Sequence, residues 1–106
     1  MEIKGLKLTT GEEIISRIDQ SVGDEWNDSE KGLVLNNPRI IMIRPVTQTE
    51  MRLVLIPYVT SAAKARCFIP LSRVVTMFQP DEDMINGYLE QTSEIQLVTA
   101  GLQLNG

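Results

Sequence analysis

The fold is decided by one stretch near the N-terminus, Leu6-Lys7-Leu8-Thr9-Thr10-Gly11-Glu12-Glu13-Ile14-Ile15-Ser16-Arg17-Ile18-Asp19. Its apolar residues alternate with polar ones on both sides of Thr10-Gly11, and a period of two is typical of half-buried strands. Gly11 tolerates the positive φ that a tight turn requires. The stretch therefore predicts two antiparallel strands joined as a hairpin, with Ile14, Ser16 and Ile18 on one face of the second strand.

The rest of the first eighty residues carries further strand patterns. Leu33–Leu35 resumes the apolar pattern, Asn36-Asn37-Pro38 breaks or bends it, and Ile40–Arg44 continues it as a buried strand. Three more strands are predicted at Met51–Val59, Arg66–Ile69 and Val74–Phe78. Six strand signals so close in sequence favour antiparallel pairing. We therefore expect a mainly β fold, a small strongly bent antiparallel sheet or open barrel.

A C-terminal helix is predicted to follow the strands. Asp81-Glu82-Asp83 places three acids where a helix N-terminus favours them, and four apolar residues then share one helical stripe. These residues are Met84, Ile85, Tyr88 and Leu89. Ile95–Val98 is either a last strand or an interface segment. At 106 residues we expect one domain, with a core over about 3–79 and the helix and tail over about 80–106.

Composition excludes several classes of function. The chain has no histidine, which removes the commonest general base and histidine-ligated metal sites. Phosphate-binding glycine loops and paired cysteines are also absent, and the acids at 24, 25, 28 and 30 do not have the spacing of a calcium loop. We therefore expect no enzyme activity, no cofactor and no metal.

Apolar runs are at most four residues long, and the N-terminus opens directly into patterned sequence. The single cysteine, Cys67, is expected to be a buried inert thiol. Together these features favour a reducing cytoplasm. The polar acidic stretch 20–31 is predicted to be a loop, in which Trp26 is either an interface anchor or folded back on the core.

Charge is strongly segregated along the chain. Residues 1–30 carry a net charge of −5, residues 31–79 carry +6, and residues 80–106 carry −5, which gives the total of −4. Such asymmetry can mark a basic binding surface within an acidic protein. The alternative is that these basic side chains only keep a strand face in water.

Residues 6–19 resemble the first Sm motif, and residues 67–78 occupy the place of the second, two short strands about a tight bend. The layout over about 3–98 is also similar to short Sm-like proteins encoded by cyanobacterial phages. The shared features are Thr10–Glu13, Asn37-Pro38, Pro57-Tyr58 and the segment Tyr88–Ile95.

This resemblance implies a bent five-stranded sheet and a homo-oligomeric ring of five to seven copies that is closed by edge-strand pairing. Sm-like rings bind single-stranded RNA at the inner pore, and of the binding positions only Asp19 and Arg73 transfer. The chain departs from the family where Pro70-Leu71-Ser72-Arg73 replaces the usual basic residue and glycine. A phage origin would place the protein in the host cytoplasm.

The residues themselves suggest an RNA surface and an assembly edge. Arg52 and Arg66, with Tyr58, are predicted at alternate positions of adjacent strands, where guanidinium groups could bind phosphates and the tyrosine could stack on a base. A solvated strand face with a tyrosine at the core edge is the alternative. The uncharged strand Val74-Val75-Thr76-Met77-Phe78 is the one that we expect to pair with the next subunit. The function is then either RNA binding by a ring, or an assembly or adaptor role in which the ring contacts other proteins.

Overall fold

The N-terminal hairpin is present as the sequence predicts. In this computed structural model, which describes residues 2–19, 31–62 and 64–92, strand β1 (Glu2–Leu8) pairs antiparallel with β2 (Glu13–Asp19). Gly11, in the turn between them, has a φ of 92°, a conformation that favours glycine. The acidic stretch 20–30 with Trp26, and the segment Ile95–Val98, lie outside the described residues.

The next strand is longer and less buried than expected. Strand β3 (Gly32–Pro45) runs unbroken through Asn36-Asn37-Pro38, where Asn37 takes a φ of 54° and the register against β2 shifts. The prediction of a bend is thus confirmed, as a β-bulge within one strand. The prediction of a buried strand over Ile40–Arg44 is wrong, because Ile43 is 62% exposed and Arg44 is exposed. This half of β3 extends beyond the hydrophobic core.

Both remaining sheet neighbours of β3 lie on the same side of it. Strand β4 (Met51–Pro57) pairs with its C-terminal half, and β5 (Arg66–Pro70) pairs with its N-terminal half. A 3-10 turn (Leu71–Arg73) then leads into β6 (Val74–Phe78), which pairs with β1. Five strands follow one another in the order β4-β3-β2-β1-β6, and β5 joins this path through β3. The resulting antiparallel six-stranded sheet does not close. The expected fold class is confirmed.

The bent sheet encloses a small apolar core. Its buried members come from four strands and are Leu6, Leu8, Ile14, Ile18, Leu33, Leu35 and Ile69. Tyr58, Cys67 and Val74 pack against this cluster from its margin. Ser16 shares the face of Ile14 and Ile18, as predicted, and its buried Oγ is satisfied because it donates to the Asn36 carbonyl at 3.0 Å.

The predicted helix, α1 (Glu82–Thr92), is held against the outer face of the sheet. Tyr88 is fully buried there, and its hydroxyl donates to the Asn36 carbonyl at 2.8 Å and accepts from the Arg17 N–H at 3.1 Å. Gln91 donates to the Leu55 carbonyl at 3.0 Å and accepts from Arg39 Nε at 2.9 Å. These polar contacts fix the helix across β2, β3 and β4.

Candidate interaction surfaces

The outer edge of β6 is the first candidate surface. The strand pairs with β1 from Gly5↔Phe78 to Leu8↔Val74, and within the described residues its other edge pairs with no strand. Val75 is 62% exposed and Met77 is 37% exposed, while Thr76 is exposed between them. This is the segment that the sequence predicts as the assembly strand. An unpaired, uncharged and apolar edge is a template for pairing with another chain.

The second candidate surface is the projecting hairpin of β3 and β4, which we call the arm (residues 42–54). It carries five of the large apolar side chains exposed in the described part of the chain. They are Met42 (44%), Ile43 (62%), Val46 (51%), Met51 (70%) and Leu53 (54%). At its tip, Thr47 Oγ1 accepts from the Glu50 N–H at 3.0 Å, which closes the turn. The arm is therefore an ordered ribbon with little of its own surface buried.

The arm carries Arg52 and a second arginine that sequence analysis did not single out. Arg44 and Arg52 lie directly opposite each other in the antiparallel register. Both are exposed, and neither makes an ion pair or a side-chain hydrogen bond with any part of the chain that the structure describes. The signal was present in the sequence, because a hairpin centred on residues 47–49 pairs position 44 with position 52.

Arg66 lies far from Arg52, and the assumption that their strands are adjacent is wrong. Since β4 and β5 pair with different halves of β3, Arg66 lies opposite Asn36 while Arg52 lies opposite Arg44. Asn36 and Arg44 are eight positions apart along β3, which corresponds to about 26 Å in an extended strand without a bulge. Directly paired residues share a sheet face, and the β3 bulge reverses the alternation of faces between Asn36 and Arg44. Arg66 and Arg52 therefore lie on opposite faces of the sheet.

Asp19 shares a sheet face with Arg66, and the other predicted site residues lie elsewhere. Asp19 pairs with Val34 two positions before Asn36, so it faces the same side of the sheet as Arg66. Arg73 lies in the 3-10 turn, where its carbonyl accepts from the Thr9 N–H at 2.9 Å. A single chain therefore does not assemble the five predicted nucleic-acid residues at one site, and their binding role stays a prediction.

Tyr58 packs against the core margin, as the alternative interpretation of this residue expects. Burial, together with the nearby Glu12 and Cys67, raises the pKa of the Tyr58 hydroxyl. Burial likewise raises the pKa of the Cys67 thiol, which is half-buried. Because the aromatic side chain of Tyr58 packs against the core cluster, it is poorly placed to stack on a base.

An acidic cleft lies between the N-terminal half of α1 and the base of the arm. It has two adjoining parts of about 260 and 360 Å³, with a floor of Ile41, Leu53, Leu55, Phe78 and Met84. Glu13, Asp81 and Asp83 line its rim, and none of the lining residues is basic. This charge repels phosphate, so the cleft suits a protein contact better than a nucleic acid.

The Phe78 side chain of the cleft floor lies over Gly5. A Cβ atom added at Gly5 would overlap three carbons of the Phe78 ring, which pairs with this glycine across the two strands. The strand pair needs glycine here because the aromatic ring occupies the space above it. The position of Phe78 in the cleft floor therefore depends on the absence of a side chain at Gly5.

No metal centre is formed by the residues that can be described. Among residues 2–19, 31–62 and 64–92, no group of three or more histidine, cysteine, aspartate or glutamate side chains is placed to hold a metal ion. The acids at 24, 25, 28 and 30 lie outside these ranges. Within them, no helix is long and apolar enough to span a membrane.

Comparisons with known proteins give no independent identification. The chain matches no protein-family model and no curated protein. Function is therefore inferred from the surfaces of the molecule itself.

Proposed function

We propose that this chain is a non-enzymatic, Sm-like subunit that assembles with copies of itself into a ring of five to seven members. The observation that carries the proposal is the unpaired outer edge of β6, with Val75 62% exposed. Strand β4, at the other end of the strand order, forms a second edge of the sheet. Pairing β6 of one copy with β4 of the next joins two different surfaces, so the contact must close into a ring or grow into a filament.

Light scattering coupled to size exclusion measures this assembly directly. We expect the unmutated protein to have the mass of a closed oligomer at micromolar concentration. Thr76→Pro removes a ladder donor from β6, and Val75→Lys places a charge on an exposed strand position without disturbing the core. Both variants should be monomeric. Thr60→Lys, at an exposed turn position outside both edge strands, is the matched control and should keep the oligomer mass. A monomer mass for the unmutated protein contradicts the proposal.

Two ligands are open to such a ring. Single-stranded RNA is supported by the exposed guanidinium groups of Arg44 and Arg52 in the +6 segment. A protein ligand, and hence an assembly or adaptor role, is supported by the apolar arm and the acidic cleft. Fluorescence anisotropy with U-rich and A-rich RNA at about 50 mM salt separates them, because phosphate contacts are strongest at low salt. Absence of RNA binding leaves the adaptor role.

A further inference from the structure

The arm places two like charges where a sheet would not favour them. Arg44 and Arg52 are direct cross-strand partners, and such partners have Cβ atoms about 5 Å apart. Like charges at this distance destabilise a hairpin, and opposite charges would stabilise it. No described carboxylate lies within ion-pair distance of either guanidinium. A local conflict of this kind is expected where function, and not stability, selects the residues.

The surroundings of the pair favour an oxyanion of a nucleic acid backbone. The arm tip continues with Thr47, Gln48 and Thr49, uncharged polar residues of the kind that contact phosphate and sugar oxygens. Glu50 is the one acid between positions 31 and 79 of the sequence. Each guanidinium offers several donors in a rigid plane, so a cross-strand pair of arginines suits a phosphodiester better than a single lysine would.

The arm also lacks what base recognition requires. Residues 42–54 contain no aromatic side chain on which a base could stack, and Tyr58 packs against the core. Met42 is the exposed neighbour of Arg44 on the same face of β3 and offers only an apolar contact. The chemistry on this face therefore reads phosphate and not sequence.

We infer that Arg44 and Arg52 form a phosphate-binding pair through which the arm holds single-stranded RNA by its backbone, without preference for base. This inference rests on RNA as the ligand in the proposed function. It assigns the contact to the arm, a site distinct from the pore positions Asp19 and Arg73. In an assembled ring, the Arg44–Arg52 pair of each copy would hold one segment of the RNA chain.

The test compares Arg44→Gln/Arg52→Gln with Lys31→Gln/Lys64→Gln, which removes the same charge from exposed lysines elsewhere. Binding of fluorescein-labelled ten-nucleotide oligo(U) and oligo(A) is followed by anisotropy from low to moderate salt. We expect the arginine variant to bind at least about tenfold more weakly than the lysine control. Its slope of log K against log salt should fall by about 0.7 for each phosphate that the variant no longer binds. Oligo(U) and oligo(A) should bind the unmutated protein equally.

Stability gives a second readout that a merely structural role would not produce. Because the like charges repel, the arginine variant should melt at the same temperature as the unmutated protein or higher at low salt. A clear drop in its melting temperature would show that the pair stabilises the arm, and would overturn the inference.

The remaining outcomes separate this inference from the proposed function. If RNA binds and the arginine variant behaves like the lysine control, the phosphate pair is wrong while RNA remains the ligand. A strong preference between oligo(U) and oligo(A) also overturns it. If polyglutamate binds as tightly as RNA and competes for the same arginines, the arm contacts acidic protein instead. If no oligonucleotide binds the unmutated protein, both the RNA ligand and this inference fail, and the mass measurement still decides the ring.

Discussion

Replacing Tyr88 by phenylalanine tests whether polar contacts hold α1 on the sheet. The substitution removes one oxygen atom and keeps the ring that fills the fully buried site. That oxygen donates to the Asn36 carbonyl at 2.8 Å and accepts from the Arg17 N–H at 3.1 Å. Both partners belong to the region where the β3 bulge shifts the register between β2 and β3.

The two partners are not affected equally, and this sets the expected magnitude. The Asn36 carbonyl still accepts from Ser16 Oγ at 3.0 Å after the change. The Arg17 N–H loses its acceptor beneath the helix, and an unsatisfied buried donor costs about 1–3 kcal/mol. We therefore expect the free energy of unfolding to fall by about 2 kcal/mol, which corresponds to about 10 °C in Tm for a domain of this size.

Tyr58→Phe is the matched control. It removes the same atom from a tyrosine at the core margin whose hydroxyl has no hydrogen-bond partner among the described residues, so its effect should stay below about 0.5 kcal/mol. Urea unfolding followed by circular dichroism, at one protein concentration because assembly would stabilise the fold, gives both values. Equal losses in the two variants would refute the argument that the Tyr88 hydroxyl fastens the helix.

Two further predictions concern packing and pH. Gly5→Ala should lower the free energy of unfolding by about 1–3 kcal/mol because its Cβ overlaps the Phe78 ring. Gly87→Ala meets no atom within 4 Å and should stabilise α1 by up to about 1 kcal/mol. Similar shifts of the urea midpoint for both variants would contradict this account. The Cys67 thiol has its pKa raised by burial, so the folded chain keeps a proton that the unfolded chain releases above about pH 8.5. Stability should therefore fall as pH rises from about 8 to 10, and less so in Cys67→Val; parallel losses in Tm for the two proteins would show that Cys67 ionisation is not the cause.

Local patterns were sufficient for most of the fold. Alternating and continuous apolar patterns identified the strands, and Thr10-Gly11 identified the hairpin turn, because pleat and turn geometry act on neighbours in sequence. The acids at 81–83 and the stripe through Tyr88 predicted the helix for the same reason. The errors arose where apolar residues were taken to be buried and where strands close in sequence were taken to be adjacent in the sheet. Ile43 is as apolar as Ile14, but it lies on the arm, beyond the core.

The sequence by itself determined a β-rich domain with one short helix, a segregated charge and an apolar segment at Val74–Phe78. Tertiary structure alone decided that β4 and β5 share one side of β3, which moved Arg66 away from Arg52. It also decided that Tyr58 packs on the core and that Phe78 lies over Gly5. The physical reason is that strand pairing joins residues far apart in the chain. Which strands pair depends on how the whole bent sheet buries its apolar face, and no local pattern encodes that choice.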